Sequence, residues 1–202
     1  IVGDTAAICY AVDRNTNKRY IVDAMKVSRP SPQQIRDIIL NWTSLYSPSE
    51  WIIEKNAFQA FLTQDEGIRQ FLQSRGVLLK EHHTGSNKWD SGFGVASMAT
   101  LFGTKQVDGK HHRDNLIHLP SDQTENVKAL IEQLITWTPT TKGKTDMVMA
   151  LWFCEIRARE MLNFGQYASH HMKNPFLSRR EIGKRVVINI DEMLAEQNKT
   201  FI

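Results

Sequence analysis

Thr5-Ala6-Ala7-Ile8-Cys9-Tyr10-Ala11-Val12 and Arg19-Tyr20-Ile21-Val22-Asp23-Ala24-Met25-Lys26 are the two stretches that decide the fold. Both are rich in β-branched, aromatic and small apolar residues. The six residues between them, Asp13-Arg14-Asn15-Thr16-Asn17-Lys18, are polar and rich in Asn and Asp. Such side chains bond their own backbone and tolerate left-handed conformations, so the segment predicts an antiparallel hairpin. A helix start follows: Ser31 as cap, Pro32 at the first helical position and Gln34 completing a capping box. Ile35, Ile38, Ile39, Trp42 and Leu45 recur at helical spacing and predict one apolar face.

Downstream, Trp51-Ile52-Ile53 is a short apolar strand running into Glu54, Lys55 and Asn56. Ala57 to Ser74 has helical spacing with Phe58, Phe61, Leu62, Ile68, Phe71 and Leu72 inward, and Gly76 stops it. Val77 to His82 predicts a strand, His83 to Gly94 a loop, and Val95 to Phe102 a short helix. Gln106 to Asn115 reads as an exposed basic loop, Leu116 to Leu119 as a brief strand. Asp122, with Glu125 three residues on, predicts a cap for a helix facing inward through Val127, Leu130, Ile131 and Leu134. The last long helix is expected over Asp146 to Phe164, buried along Met147, Ala150, Leu151, Cys154, Ala158, Met161 and Leu162. Lys173 to Arg185 is basic and irregular, and Val186-Val187-Ile188 reads as a late strand. This order implies an α/β fold with a mixed sheet covered by helices on both faces.

Composition narrows the function classes. With 202 residues, 41% of them hydrophobic and 23% charged, the chain has the make-up of a soluble globular domain with an appendage. No apolar run approaches the roughly 18 residues of a membrane span, so no membrane partner is expected. The opening Ile1-Val2-Gly3-Asp4 has no secretory pattern, and two distant cysteines, Cys9 and Cys154, make no scaffold or CxxC site. A reducing, intracellular setting is the expectation. A net charge of +3 permits a polyanionic partner without demanding one.

Gly143-Lys144-Thr145 resembles the tail of a P-loop, but Thr138 stands where the motif needs glycine, which favours a basic loop. The pairs His82-His83, His111-His112 and His170-His171 project in divergent directions and favour solvated loops over a zinc site. Glu54 sits at a strand's carboxyl end, where ligands gather in open α/β sheets, or is a solvated strand-end acid. Asp146 opens a helix, where a carboxylate also serves as a cap; Asp4 precedes the first strand. Lys88-Trp89, Lys105 and Lys110 to Arg113 form either a solvated rim or a set of phosphate contacts.

Ile52-Ile53-Glu54-Lys55-Asn56 and Thr145-Asp146-Met147-Val148-Met149-Ala150-Leu151 resemble the second and third acidic motifs of the nuclease domain of tailed-phage large terminase subunits. Gly3-Asp4-Thr5-Ala6-Ala7-Ile8 is similar to the turn and strand just after that family's first acidic motif, and the similarity runs in order from Ile1 to about Phe164. The resemblance implies a ribonuclease-H-like fold over residues 1–165, with 166–202 as a basic C-terminal extension. It implies a metal-dependent endodeoxyribonuclease that cuts concatemeric double-stranded DNA with little sequence specificity, in the host cell cytoplasm. Two Mg²⁺ or Mn²⁺ ions would be held by Glu54 and Asp146, with Asp4 as third candidate. The family's first acid lies just upstream of the Gly-Asp-Thr turn, so it either precedes residue 1 or is replaced by Asp4. Lys88, Lys105, Lys110 and Arg113 are the implied DNA contacts. The implied partners are the terminase ATPase domain, the portal protein and the small terminase subunit. The alternatives are a non-catalytic DNA-gripping or docking module of the packaging motor, and another ribonuclease-H-like enzyme such as a junction resolvase.

Overall fold

The computed structural model describes residues 4–54, 65–90, 92, 94–105, 111–113, 115–140 and 144–171. For Ser86, Asn87, Thr104, Lys105, 111–113 and 163–171 it describes the backbone alone. The chain falls into two compact units, Ile1–Glu160 and Met161–Ile202, and the contacts below lie within the first.

Strands β1 (Asp4–Asp13) and β2 (Lys18–Ser28) pair antiparallel, as the hairpin pattern predicts. Asp13 makes the turn: its carboxylate accepts the Asn15 N–H at 2.9 Å and the Thr16 hydroxyl at 2.6 Å. Asn17 closes it at φ 58°, a conformation that Asn tolerates better than most residues. The ladder is interrupted between Cys9 and Tyr10, whose partners are Asp23 and Ile21, so Val22 is an extra residue in a β-bulge. Side chains of β2 alternate faces, yet Arg19, Ile21 and Ala24 are all buried. The bulge reconciles them by shifting the alternation between Ile21 and Ala24.

Later elements complete a mixed α/β fold. α1 (Pro32–Tyr46) begins with the predicted capping box: Ser31 Oγ accepts the Gln34 N–H, and Gln34 Oε1 accepts the Ser31 N–H. β3 (Glu50–Glu54) runs parallel to β4 (Leu78–His82), with Glu54 opposite His82. Between them lies α2 (Glu66–Ser74), capped by Asp65, and Gly76 at φ 66° reverses the chain. Residues 55–64, including the expected inward Phe58, Phe61 and Leu62, lie outside the described residues.

Ser86–Trp89 and Val95–Leu101 are 3-10 turns. Within the expected basic loop, β6 (His111–Arg113) pairs antiparallel with β5 (Thr104–Lys105). β7 (Ile117–His118) lies parallel to β2, giving a mixed three-stranded sheet in the order β1-β2-β7. α3 (Glu125–Thr136) and α4 (Asp146–His171) follow. No described helix is long and apolar enough to cross a membrane.

Side chains alternate faces along β3, every one of them half-buried. Ile52 joins the main core with Ile21, Ala24, Ile117, Leu130, Met147 and Leu151. Trp51 and Ile53 point the other way, into a second core of Ile35, Ile39, Ile68, Leu72 and Val77. Helices therefore cover both faces of β3–β4.

Several expectations need correction. The described strands form three separate sheets, β1-β2-β7, β3-β4 and β5-β6, where one mixed sheet was expected. The helix expected from Ala57 to Ser74 is interrupted at Asp65, which caps α2 in an extended conformation, and α4 runs beyond Phe164 to His171. Leu45 is exposed, and Thr43 takes the inner position because its hydroxyl accepts the Trp51 indole N–H at 2.8 Å. α3 is capped by Thr124, whose hydroxyl accepts the Val127 N–H at 3.3 Å, and not by Asp122. α4 buries a broader face than an apolar stripe. Val148 and Trp152 are buried with Met147 and Leu151, and so is the carboxylate of Glu155 at 1% exposure.

That carboxylate ties three elements together. It accepts Tyr10 Oη at 2.9 Å from β1, Arg19 Nε and Nη2 at 3.3 and 3.2 Å from β2, and Arg159 Nε at 3.0 Å one turn along α4. Arg159 also donates to Gly92 O and Ser97 Oγ, anchoring the 92–97 segment. Burial, reinforced by the Glu155 charge, raises the Tyr10 phenol far above its ordinary value, so it stays a donor. Further along, Arg157 reaches Glu50 of β3 at 2.6 Å, and the Trp152 and Phe153 rings pack on His82 of β4. α4 thus touches β1, β2, β3 and β4. Glu155→Gln leaves two guanidiniums without their counter-charge and is expected to cost about 3–5 kcal/mol in urea unfolding. A loss below about 1 kcal/mol contradicts a structural role for the charge.

Candidate functional site

The face of the hairpin that meets α4 runs through Asp4, Ala6, Ile8 and Tyr10 on β1, opposite Ser28, Lys26, Ala24 and Ile21 on β2. Ala6, Ile8 and Tyr10 pack on the main core, so Asp4 ends an inward-facing row. Its side chain is 7% exposed. Ser28 Oγ donates to Asp4 Oδ1 at 2.8 Å, while Lys144 Nζ and Lys26 Nζ lie 2.8 and 3.4 Å from Oδ2. Lys144, with Ser28 and Lys26 in support, holds the Asp4 carboxyl down at about 2 against the opposing effect of burial.

Asp146, the first residue of α4, belongs to the same cluster. Burial pushes its carboxyl above the ordinary carboxylate value, its own backbone N–H pulls it down, and the like charge of Asp4 pushes it up again. Lys26 and Lys144 act on it in the opposite sense. Two of the three sequence-predicted acids, from opposite ends of the first unit, therefore share one electrostatic environment. Around the two carboxylates stand the ammoniums of Lys26 and Lys144 and the hydroxyl of Ser28. Lys26, Ser28 and Lys144 were not anticipated as partners of Asp4; strand register finds Ser28 and Lys26, whereas Lys144 is signalled only by its place two residues before Asp146.

Glu54 occupies a separate position at the end of β3, in register with His82. Burial lowers the His82 imidazole, opposed by the charges of Glu160 and Glu54. His82 packs on Trp152 and Phe153, six and seven residues into α4, or about 10 Å along the axis from Asp146 at 1.5 Å per residue. Among the described residues, no three His, Cys, Asp or Glu side chains converge where a metal ion could sit. Asp4 and Asp146 suit one hard cation by their oxygen chemistry, and their mutual repulsion favours one. In the present arrangement Lys144 supplies that positive charge, from a side chain 65% exposed to solvent. The pair does not by itself make up the donor set of a two-ion centre.

Of the expected DNA contacts, Lys88 Nζ lies 4.9 Å over the Trp89 ring. Lys105 and Arg113 fall on the β5–β6 ladder, where only the backbone is described, and Lys110 lies outside the described residues. Of the 82–83 pair, His83 is exposed as expected, but His82 is not a solvated loop residue: it ends β4 and packs on the rings of Trp152 and Phe153. Cys9 and Cys154 are free thiols that burial pushes up to about 11 and 12, which makes them poor nucleophiles.

Cation binding at Asp146 needs its ionised form, so affinity is expected to rise with pH as this raised carboxyl deprotonates. Millimolar Mn²⁺ is expected to raise the wild-type melting temperature at neutral pH and to leave Asp146→Asn unmoved. In EDTA the same variant, relieved of a buried charge beside Asp4, is expected to melt no lower than wild type. An equal Mn²⁺ shift in both proteins removes Asp146 from any cation site. No family model, curated protein or solved structure matches the chain.

Proposed function

We propose that this chain is the metal-dependent endonuclease domain of a viral DNA-packaging terminase, built on a ribonuclease-H-like fold. It cuts concatemeric double-stranded DNA with little sequence preference. The observation that supports this reading is that Asp146 feels the charge of Asp4 and of the two lysines, Lys26 and Lys144, that pair with Asp4, as expected if the opening Gly-Asp-Thr segment and the third motif share a site. The mixed α/β architecture, with helices on both faces of β3–β4, is compatible with it.

Phosphodiester hydrolysis needs an activated water and charge relief on the leaving oxygen; two Mg²⁺ or Mn²⁺ ions about 3.5–4 Å apart supply both when bound. Asp4 and Asp146 would hold such an ion through their carboxylate oxygens. Glu54, at the end of the neighbouring parallel pair, is the residue that reaches toward them in the DNA complex. Lys26 and Lys144 then lose their carboxylate partner to the metal and turn to the DNA phosphates. Lys88, Lys105, Lys110 and Arg113 add backbone contacts, which position a duplex without reading it. On this reading the working partners are the ATPase domain, the portal protein and the small terminase subunit.

A non-catalytic DNA-gripping module is the second reading, and the ion pairs of Asp4 with Lys26 and Lys144 favour it. Plasmid cleavage in Mn²⁺ against EDTA separates the two. The nuclease reading expects chelation to abolish cutting, and Asp146→Ala or Glu54→Ala to lower it more than about 100-fold, beyond the range for outer-shell partners. DNA binding without cutting supports the module. Joint replacement of Lys88 and Lys105 by Ala is expected to weaken binding uniformly across sequences, reducing the log–log salt slope by about 1 per lysine. An unchanged slope returns both to the solvated rim.

A further inference from the structure

Two tryptophans meet where the segment after β4 approaches the end of α3. The rings of Trp89, which closes the Ser86–Trp89 turn, and Trp137, which caps α3, have centroids 6.4 Å apart and planes inclined by 23°. Trp137 is packed against the main core and is therefore fixed. Trp89 belongs to neither core and is 52% exposed. Trp89 differs from the other exposed apolar side chains, such as Leu45 and Ile135, in presenting a flat ring that a second ring backs and a cation covers.

The location is specific. Gln133, one turn before Trp137, accepts the Met147 N–H at 3.1 Å, so the last turn of α3 abuts the first turn of α4. The tryptophan pair is thereby near the end of α4 that carries Asp146. Two cations stand in this region, Lys88, half-buried over Trp89, and Lys144, largely exposed beside Asp4. They repel a cationic ligand and complement a phosphate. The rings are close to parallel and do not form the box that encloses an ammonium group.

We propose that Trp89, backed by Trp137, is a stacking platform for an unpaired nucleobase of a DNA strand, with Lys88 moving from the ring face to the phosphate of that nucleotide. The proposal rests on the nucleic-acid reading above and deepens it by naming the strand form that the site takes. An exposed cation–π contact is weak, so a base displaces the ammonium easily. Every base has a π-face, so the platform grips without selecting sequence. It serves a strand opened or frayed beside the acids, which the phosphate contacts alone do not distinguish from duplex.

The test uses the whole chain in EDTA, so that no cutting intervenes. Binding is read by fluorescence anisotropy on an oligothymidylate of roughly 12 nucleotides, within the usual site size, and on an equally long strand of abasic sites. Trp89→Ala is expected to weaken binding to oligothymidylate at least about fivefold, the lower end for one stacked base, and to leave the abasic strand unaffected. Trp89→Phe, which keeps an aromatic face, is expected to retain most of the affinity. Lys88→Ala is expected to weaken both strands. Wild-type affinity in Trp89→Ala, equal losses on both strands, or no wild-type binding to oligothymidylate overturns the platform. The first of these is also the result expected if the tryptophans serve a protein partner. The nuclease reading fails separately, if Mn²⁺-dependent cleavage is absent while Trp89-dependent binding persists.

Discussion

The carboxylate of Glu155 faces two guanidiniums and a phenol in the interior of the first unit, and the arrangement of β1, β2 and α4 depends on that contact. A charge with 1% exposure is tolerated only with its partners in place, and here they arrive from three stretches of chain. Tyr10 and Arg19 fix the hairpin against the helix, while Arg159 ties the helix to the 92–97 segment. Two residues on, Arg157 bonds Glu50, which Lys80 also meets at 3.0 Å. The polar side of α4 therefore reaches both strand pairs while its apolar side fills the core. Apolar burial supplies most of the driving force, and the ion pairs set which residues lie opposite one another.

The same helix controls the chemistry at its beginning. Placing Asp146 beside Asp4 sets two like charges together in a half-buried position, which is unfavourable unless something positive joins them. Lys144 and Lys26 do so in the structure described, and their contrast in exposure is informative. Lys26 rises from near the end of β2, two residues before its last, while Lys144 enters from the loop before the helix. The second arrangement is the easier to exchange for another cation.

Much of the architecture was legible because local chemistry dictated it. The Asn-rich turn, the Ser31–Gln34 capping box and the apolar strand before Glu54 each rest on neighbours in sequence. Features that depended on distant partners were not legible. Glu155 in an apolar helix reads as a surface acid until Arg19 and Tyr10 are seen beneath it. Leu45 fits a helical stripe by spacing, but Thr43 has the indole to bond and takes the buried place. Asp122 and Thr124 both carry capping oxygens, and only the geometry of the first turn selects the threonine. For the site, Asp4 and Asp146 were identifiable as acids at element ends, whereas Lys26 depends on strand register and Lys144 on how the loop before α4 returns to β1. Glu54 was correctly placed at a strand terminus, but the sequence did not say that its cross-strand neighbour would be His82.

The bulge at Val22 gives the hairpin a parity that its two halves do not share. Before it, odd-numbered residues of β2 face the helix, as Arg19 and Ile21 do; after it, the even-numbered ones do, as Ala24 does. Forcing that half-exposed valine into the regular alternation, with no bulge to absorb it, would leave each half-strand well formed, yet only one half could keep its inward phase. If Arg19 stays on Glu155, the amine and hydroxyl that hold Asp4 rotate to the opposite side. Setting the surplus residue aside as a bulge thus lets a single strand serve both the buried ion network and the acidic cluster.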